Sequence, residues 1–191
     1  MNNIPRLELE QLEPGLADVL KARVVRLGYL GEFFRCMGHQ PKPLHAFIEF
    51  TESAKAVLDK RTVEIVALTI STRKHNAYER HQHERLCVRL GFGRTWISQV
   101  EALRPDEAQL LSDVEKQLQR FVLAAIEERA AESQELFCSL VDRLGYQQAV
   151  AILMVIGRYA AHAVMVTALG IAPPVPSIYE DGFDAAQPPT P

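Results

Sequence analysis

Cysteine is scarce in this 191-residue chain and never paired: Cys36, Cys87 and Cys138 lie far apart and form neither a CxxC nor any zinc-ligand spacing. That arrangement excludes a disulfide framework and a structural zinc site, and a reduced, cytoplasmic chain accounts for it most simply. The opening MNNIPRLELEQLEP lacks the apolar core of a signal peptide. Alternation of apolar and polar residues, the mark of a half-buried strand, is missing throughout. The fold class is therefore expected to be all-α. Positive charge is not in excess: the net charge is −3, unlike the basic surplus of a nucleic-acid binder. No Glu-x-x-His occurs, so nothing supports a ferritin-like di-metal bundle.

What is present suffices for one helical core. Hydrophobic residues make up 48% and charged residues 24%, the mix of an ordinary soluble domain. We read residues 1–171 as that domain. Residues 172–191, which hold six of the eleven prolines, read as an extended or disordered arm. Pro14 and Gly28 start and stop the first helix, with Leu16, Val19, Leu20, Val24 and Leu27 at helical spacing. HQPKP at 39–43 reads as a loop, since proline disrupts a helix interior. A helix over about 44–58 follows, with Phe47, Ile48, Ala54 and Val57 as its inner face, and Asp59 is suited to cap the next. Pro105 opens a further helix with Asp106 and Glu107 at its positive end, and another over 136–144 stops at Gly145.

Residues 149–169 are long and apolar enough to be mistaken for a membrane span. Arg158 and His162 sit inside them, and a central Arg costs about 2.5–3.5 kcal/mol on insertion scales. A lone span after several amphipathic helices is less plausible than a helix buried on all sides. The segment is expected to be a core or subunit-interface helix, with no membrane partner.

The chain is organised around residues 61–92. Glu64 stands among Val63, Ile65, Val66 and Leu68, and an acid in such company costs free energy unless it is paired. Tyr78, Glu79 and His83 share one helical pattern, and a Glu–His pair at i, i+4 can orient the imidazole and raise its basicity. The switch from apolar to polar at STRKHN, residues 71–76, predicts a bend that folds 59–90 into a helical hairpin. Such a hairpin would bring Glu64 to His83 across nineteen positions. Each residue taken singly also fits an exposed or salt-bridged helix position. Cys87 continues the face of His83, either as a nucleophile or as a packed thiol. His75, Glu79 and His83 share a face as well, but the outer two are two turns apart, too far for one ion on a straight helix, so no metal is expected. Between residues 73 and 94 six Lys or Arg face two acids. That local surplus favours a small anionic partner, or is a solvated helix face. His83 and His162 each precede a Leu-Gly pair by seven residues, a weak sign of a duplicated helical unit.

This stretch resembles the carboxymuconolactone decarboxylase and alkylhydroperoxidase D-like superfamily. Its motif sets a Glu, then a CxxC after eleven residues, then a His four after the second Cys. Glu64 matches the Glu and His83 the His, while N-A-Y-E puts Asn76 and Glu79 where the cysteines would be. The resemblance implies a helical bundle with a bent central hairpin, no cofactor, and a trimeric or hexameric homo-oligomer. Without the dithiol it does not imply hydroperoxide reduction. It implies decarboxylase-like acid–base chemistry on a small carboxylated substrate, decarboxylation or isomerisation, with Glu64, Tyr78, Glu79 and His83 as site residues. Two alternatives stay open: a peroxidase using Cys87, and a homo-oligomer that binds a ligand without catalysis.

Overall fold

The computed structural model describes residues 3–180 and 183. Among them the chain forms nine α-helices, two short 3-10 turns and no strand. The helices are α1 (Pro14–Leu27), α2 (Glu32–Met37), α3 (Pro41–Lys55), α4 (Lys60–Arg73), α5 (Ala77–Arg89), α6 (Arg94–Glu101), α7 (Asp113–Ile126), α8 (Ala130–Leu144) and α9 (Tyr146–Leu169).

α4 is the central helix. Asp59 caps it by accepting the Thr62 N–H, and every residue from Val63 to Ser71 is buried. It packs against α5, α6, α7 and α9. The chain leaves it at Arg73, turns through His75 at φ 53°, and re-enters a helix at Ala77. Asn76 caps α5 by accepting the Glu79 N–H. The hairpin expected over 59–90 is therefore present, bent within 71–76.

Three expectations about helix bounds and faces are corrected. The segment 39–43 is not all loop, because α3 begins at Pro41. Pro41 and Pro43 fall in the first turn, where backbone N–H groups have no helical partner to lose. Conversely, Pro105–Glu107 is only a 3-10 turn, and the long helix waits for Ser112. There Ser112 and Glu115 form a reciprocal capping box, a stronger start than Pro105 with two acids. On α3, Ile48 and Ala54 face inward as expected, but Val57 lies beyond the helix and is exposed, while Leu44 and Thr51 are buried.

α9 packs against α3, α4, α7 and α8. Ile152, Val155, Ile156 and Tyr159 join the larger core cluster, and Val166 and Leu169 a second one with Phe33 and Tyr78. Its burial is one-sided, not complete: Tyr146, Val150, Leu153, Met154 and Val164 remain exposed. Among the described residues it is the one helix long and apolar enough to cross a membrane.

Beyond α9 the chain forms no further helix among the described residues, yet it is tied down. Val175, Ser177 and Ile178 are buried. Ser177 Oγ and the Ile178 N–H both donate to Glu84 of α5, at 2.5 and 3.0 Å. His81 Nδ1 and Arg85 Nε hydrogen-bond the carbonyls of Val175 and Pro176. Residues 181–182 and 184–191 of the proposed arm lie outside the described residues.

Candidate functional site

Three helices meet at one buried group of charges. α4 supplies Glu64, α5 supplies Glu79 and His83, and α9 supplies Arg158, Tyr159 and His162. All six are buried. His83 Nδ1–H donates to Glu64 Oε2 at 2.6 Å, the contact that the hairpin was expected to create. On the other side of the ring, Nε2 lies 3.2 Å from the Tyr159 hydroxyl and 3.4 Å from Glu79 Oε1. Glu79 in turn accepts from Arg158 at 2.6 Å. Arg158 also donates to Thr51 Oγ1 at 3.3 Å and lies over the Tyr159 ring, 4.3 Å from its centre.

The two histidines of the weak sequence echo flank the same carboxylate, Glu79, but titrate in opposite directions. Burial alone would lower the His83 pKa. The charge and hydrogen bond of Glu64, with help from Glu79, outweigh it and raise the value to about 9. His162 Nδ1 lies 3.1 Å from Glu79 Oε2, yet off any hydrogen-bonding direction. Burial therefore dominates at His162 and pushes it down to about 4 despite Glu79. Burial also works to raise the Glu79 carboxyl, but His162, Arg158 and His83 hold it well below the usual carboxylate range. Because His162 is itself neutral at neutral pH, Arg158 and His83 carry that effect there.

Of the four residues expected from the sequence, Glu64, Glu79 and His83 come together. Tyr78 does not join their hydrogen bonds: its hydroxyl accepts the Phe33 N–H at 3.3 Å, in the second core cluster. The tyrosine at the centre is Tyr159, which the sequence reading missed along with Arg158 as a site residue. The available signal was an Arg-Tyr-x-x-His run inside an otherwise apolar helix. Cys87 is fully buried and directs its thiol to Glu64 Oε2 at 3.5 Å. Burial and the Glu64 charge push that thiol up, so it stays protonated, the opposite of what a peroxide-reducing cysteine requires. No group of three or more His, Cys, Asp or Glu among the described residues is placed to hold a metal ion.

Four of the six cations of residues 73–94 are engaged with other partners. Arg73 pairs with Glu127, Lys74 donates to the Ile126 carbonyl, Arg80 pairs with Glu84, and Arg85 holds Pro176. The cations beside the site come from α9 and α3 instead: Arg158, and Lys55, whose ammonium lies 5.3 Å from the centre of the Tyr159 ring. A cleft lined by Leu9, Glu10, Leu12, Pro14, Ala17, Asp18 and Lys21 shares no residue with the cluster.

No protein-family model and no curated protein matches the sequence. Solved structures match its fold. An uncharacterised peroxidase-related protein from Ralstonia eutropha JMP134, with an alkylhydroperoxidase AhpD core, superposes at a TM-score of 0.77 with 16% identity, over 91% of this chain and 94% of its own. The fold is alkylhydroperoxidase D-like. A protein of unknown function from Agrobacterium tumefaciens matches at 0.66 with 18% identity, over 73% of this chain and 96% of its own. The debrominase Bmp8, in a cysteine-to-alanine form bound to 2,3,4-tribromopyrrole, matches at 0.77 with 17% identity, over 90% and 91%. The two residues that the sequence resemblance sets at its cysteine positions are the cap and third residue of α5. They are Asn76, bonded to the helix, and Glu79, bonded to Arg158.

Proposed function

We propose that the protein is a cofactor-free acid–base enzyme that decarboxylates or isomerises a small carboxylated substrate. The observation that carries this reading is the 2.6 Å hydrogen bond between Glu64 and His83 inside the core. At neutral pH the raised His83 is an imidazolium. Its Nδ1–H goes to Glu64, and its Nε2–H can donate to the Tyr159 oxygen. The Tyr159 O–H can then donate to a substrate, so Tyr159 takes the place given to Tyr78 on sequence grounds.

In a decarboxylation the electron pair of the breaking C–C bond stays on the substrate as an enolate. The Tyr159 proton forms the new C–H bond, the Nε2 proton of His83 refills the tyrosine, and neutral His83 regains a proton from water. One carboxylate and one proton give CO₂ and the protonated product. Glu64 keeps the ring oriented throughout.

A screen of unsaturated lactone and β-keto acid carboxylates for CO₂ release tests the proposal. General acid–base assistance is worth about 10²–10⁴-fold. His83→Ala and Glu64→Gln are each expected to lower turnover by that order while circular dichroism shows a folded protein. Normal turnover by the His83 variant would show the assignment to be wrong.

A further inference from the structure

We propose that Lys55 is the anion-binding residue of this site, pairing with the substrate's carboxylate against the face of Tyr159. The proposal rests on the reading of Glu64, His83 and Tyr159 as the reactive line. Lys55 is the last residue of α3 and is half-buried. Its ammonium sits over the ring whose hydroxyl meets His83. Among the described residues it makes no hydrogen bond and no ion pair.

The charges around it are already matched to one another. Glu64 is paired with His83, Glu79 with Arg158, and Glu52 with Arg23 at 3.0 Å. Arg158 and His162 of α9 face Lys55 without offering it negative charge. Lys55 is thus a cation at this site with no carboxylate within ion-pair distance, and burial outweighs the attraction of Glu79, Glu52 and Glu64 for its charge. Burial lowers its pKa to about 8, with Arg158 acting in the same direction. It still carries its proton at pH 7, and an arriving carboxylate completes the balance. The carboxylate would then lie beside Tyr159, with the rest of the molecule directed at the tyrosine hydroxyl. Arg73, Lys74, Arg80 and Arg85 cannot serve in this way, since each is engaged with its own neighbour.

The probe is cis,cis-muconate, a flat unsaturated dicarboxylate, with its diamide as the uncharged control. Lysine labelling by trinitrobenzenesulfonate is followed peptide by peptide in the native protein. Muconate is expected to slow labelling at Lys55 at least about tenfold and to leave exposed Lys21 unchanged, while the diamide protects neither. By calorimetry, Lys55→Met is expected to weaken muconate binding at least about tenfold, and Lys55→Arg to restore most of it. Melting curves of both variants report whether they fold. Absence of protection, equal protection by the diamide, or equal muconate affinity of native and folded Lys55→Met protein overturns the proposal. Protected Lys55 in a protein that releases no CO₂ from any carboxylate keeps the anion site and discards the decarboxylase. CO₂ release with a KM indifferent to Lys55→Met does the reverse.

Discussion

Tyr159 is the residue on which the proposed proton path turns, because both nitrogens of His83 are already occupied. Tyr159→Phe keeps the ring under Lys55 and Arg158 but removes the hydroxyl. On a substrate identified by CO₂ release, turnover is expected to fall about 10²-fold or more with an unchanged melting curve. Turnover close to native would mean that His83 reaches the substrate directly. Cys87→Ser should leave activity largely intact, since the thiol is buried and protonated. Peroxide turnover that vanishes in that variant would contradict its assignment to packing. Arg158 carries a structural burden as well. Arg158→Met leaves Glu79 charged and buried without its partner, a loss of about 3–5 kcal/mol that denaturant unfolding can measure. Adding Glu79→Gln should recover much of it. Glu64 and His83 were legible in the sequence because an acid in an apolar helix and a Glu–His pair are local anomalies. Arg158, Tyr159 and His162 were not, because their partners lie 76 to 83 positions away and no local period encodes that distance.

At the scale of elements, the helices announced themselves wherever apolar spacing and a cap agreed. Asp59 and Gly28 mark ends the sequence reading placed well. The misplaced starts, at Pro41 and at Ser112, came from reading proline as a breaker in one case and as an initiator in the other. In both the deciding factor was which backbone N–H groups had another partner. α9 poses a different question. Tyr146, Val150, Leu153, Met154 and Val164 lie exposed along the helix whose opposite face builds the core. We propose that a second copy of this chain covers them, as apolar area of this kind ordinarily marks an interface. Light scattering at micromolar concentration should show an assembly that Leu153→Glu or Val164→Glu breaks down. A native protein that scatters as a monomer would count against this.

For the whole molecule, the two buried histidines set opposing limits on stability. His83 has its pKa raised from 6.5 to about 9. The stability it contributes is fully present below about pH 6.5 and is lost as pH rises through 9. The shift corresponds to roughly 3 kcal/mol at most. His162 has its pKa lowered to about 4. Its contribution is present above pH 6.5 and is lost as pH falls through 4. Thermal melting between pH 4 and pH 10 should therefore show greatest stability near pH 6.5. His83→Gln should flatten the alkaline side. A melting temperature that climbs from pH 7 to pH 9 would contradict the charge assignment.

The segment that follows α9 has a consequence for hydrogen exchange. Pro173, Pro174 and Pro176 have no amide hydrogens, so few exchangeable sites report on this stretch. The Ile178 amide is one of them, donating to Glu84 beneath a side chain that is fully buried. Its exchange can occur only when the segment lifts from α5. Comparing its rate with that of α4 amides separates a local opening from global unfolding. If Ile178 exchanges as slowly as α4, this proline-rich stretch unfolds only together with the helix that carries Glu64.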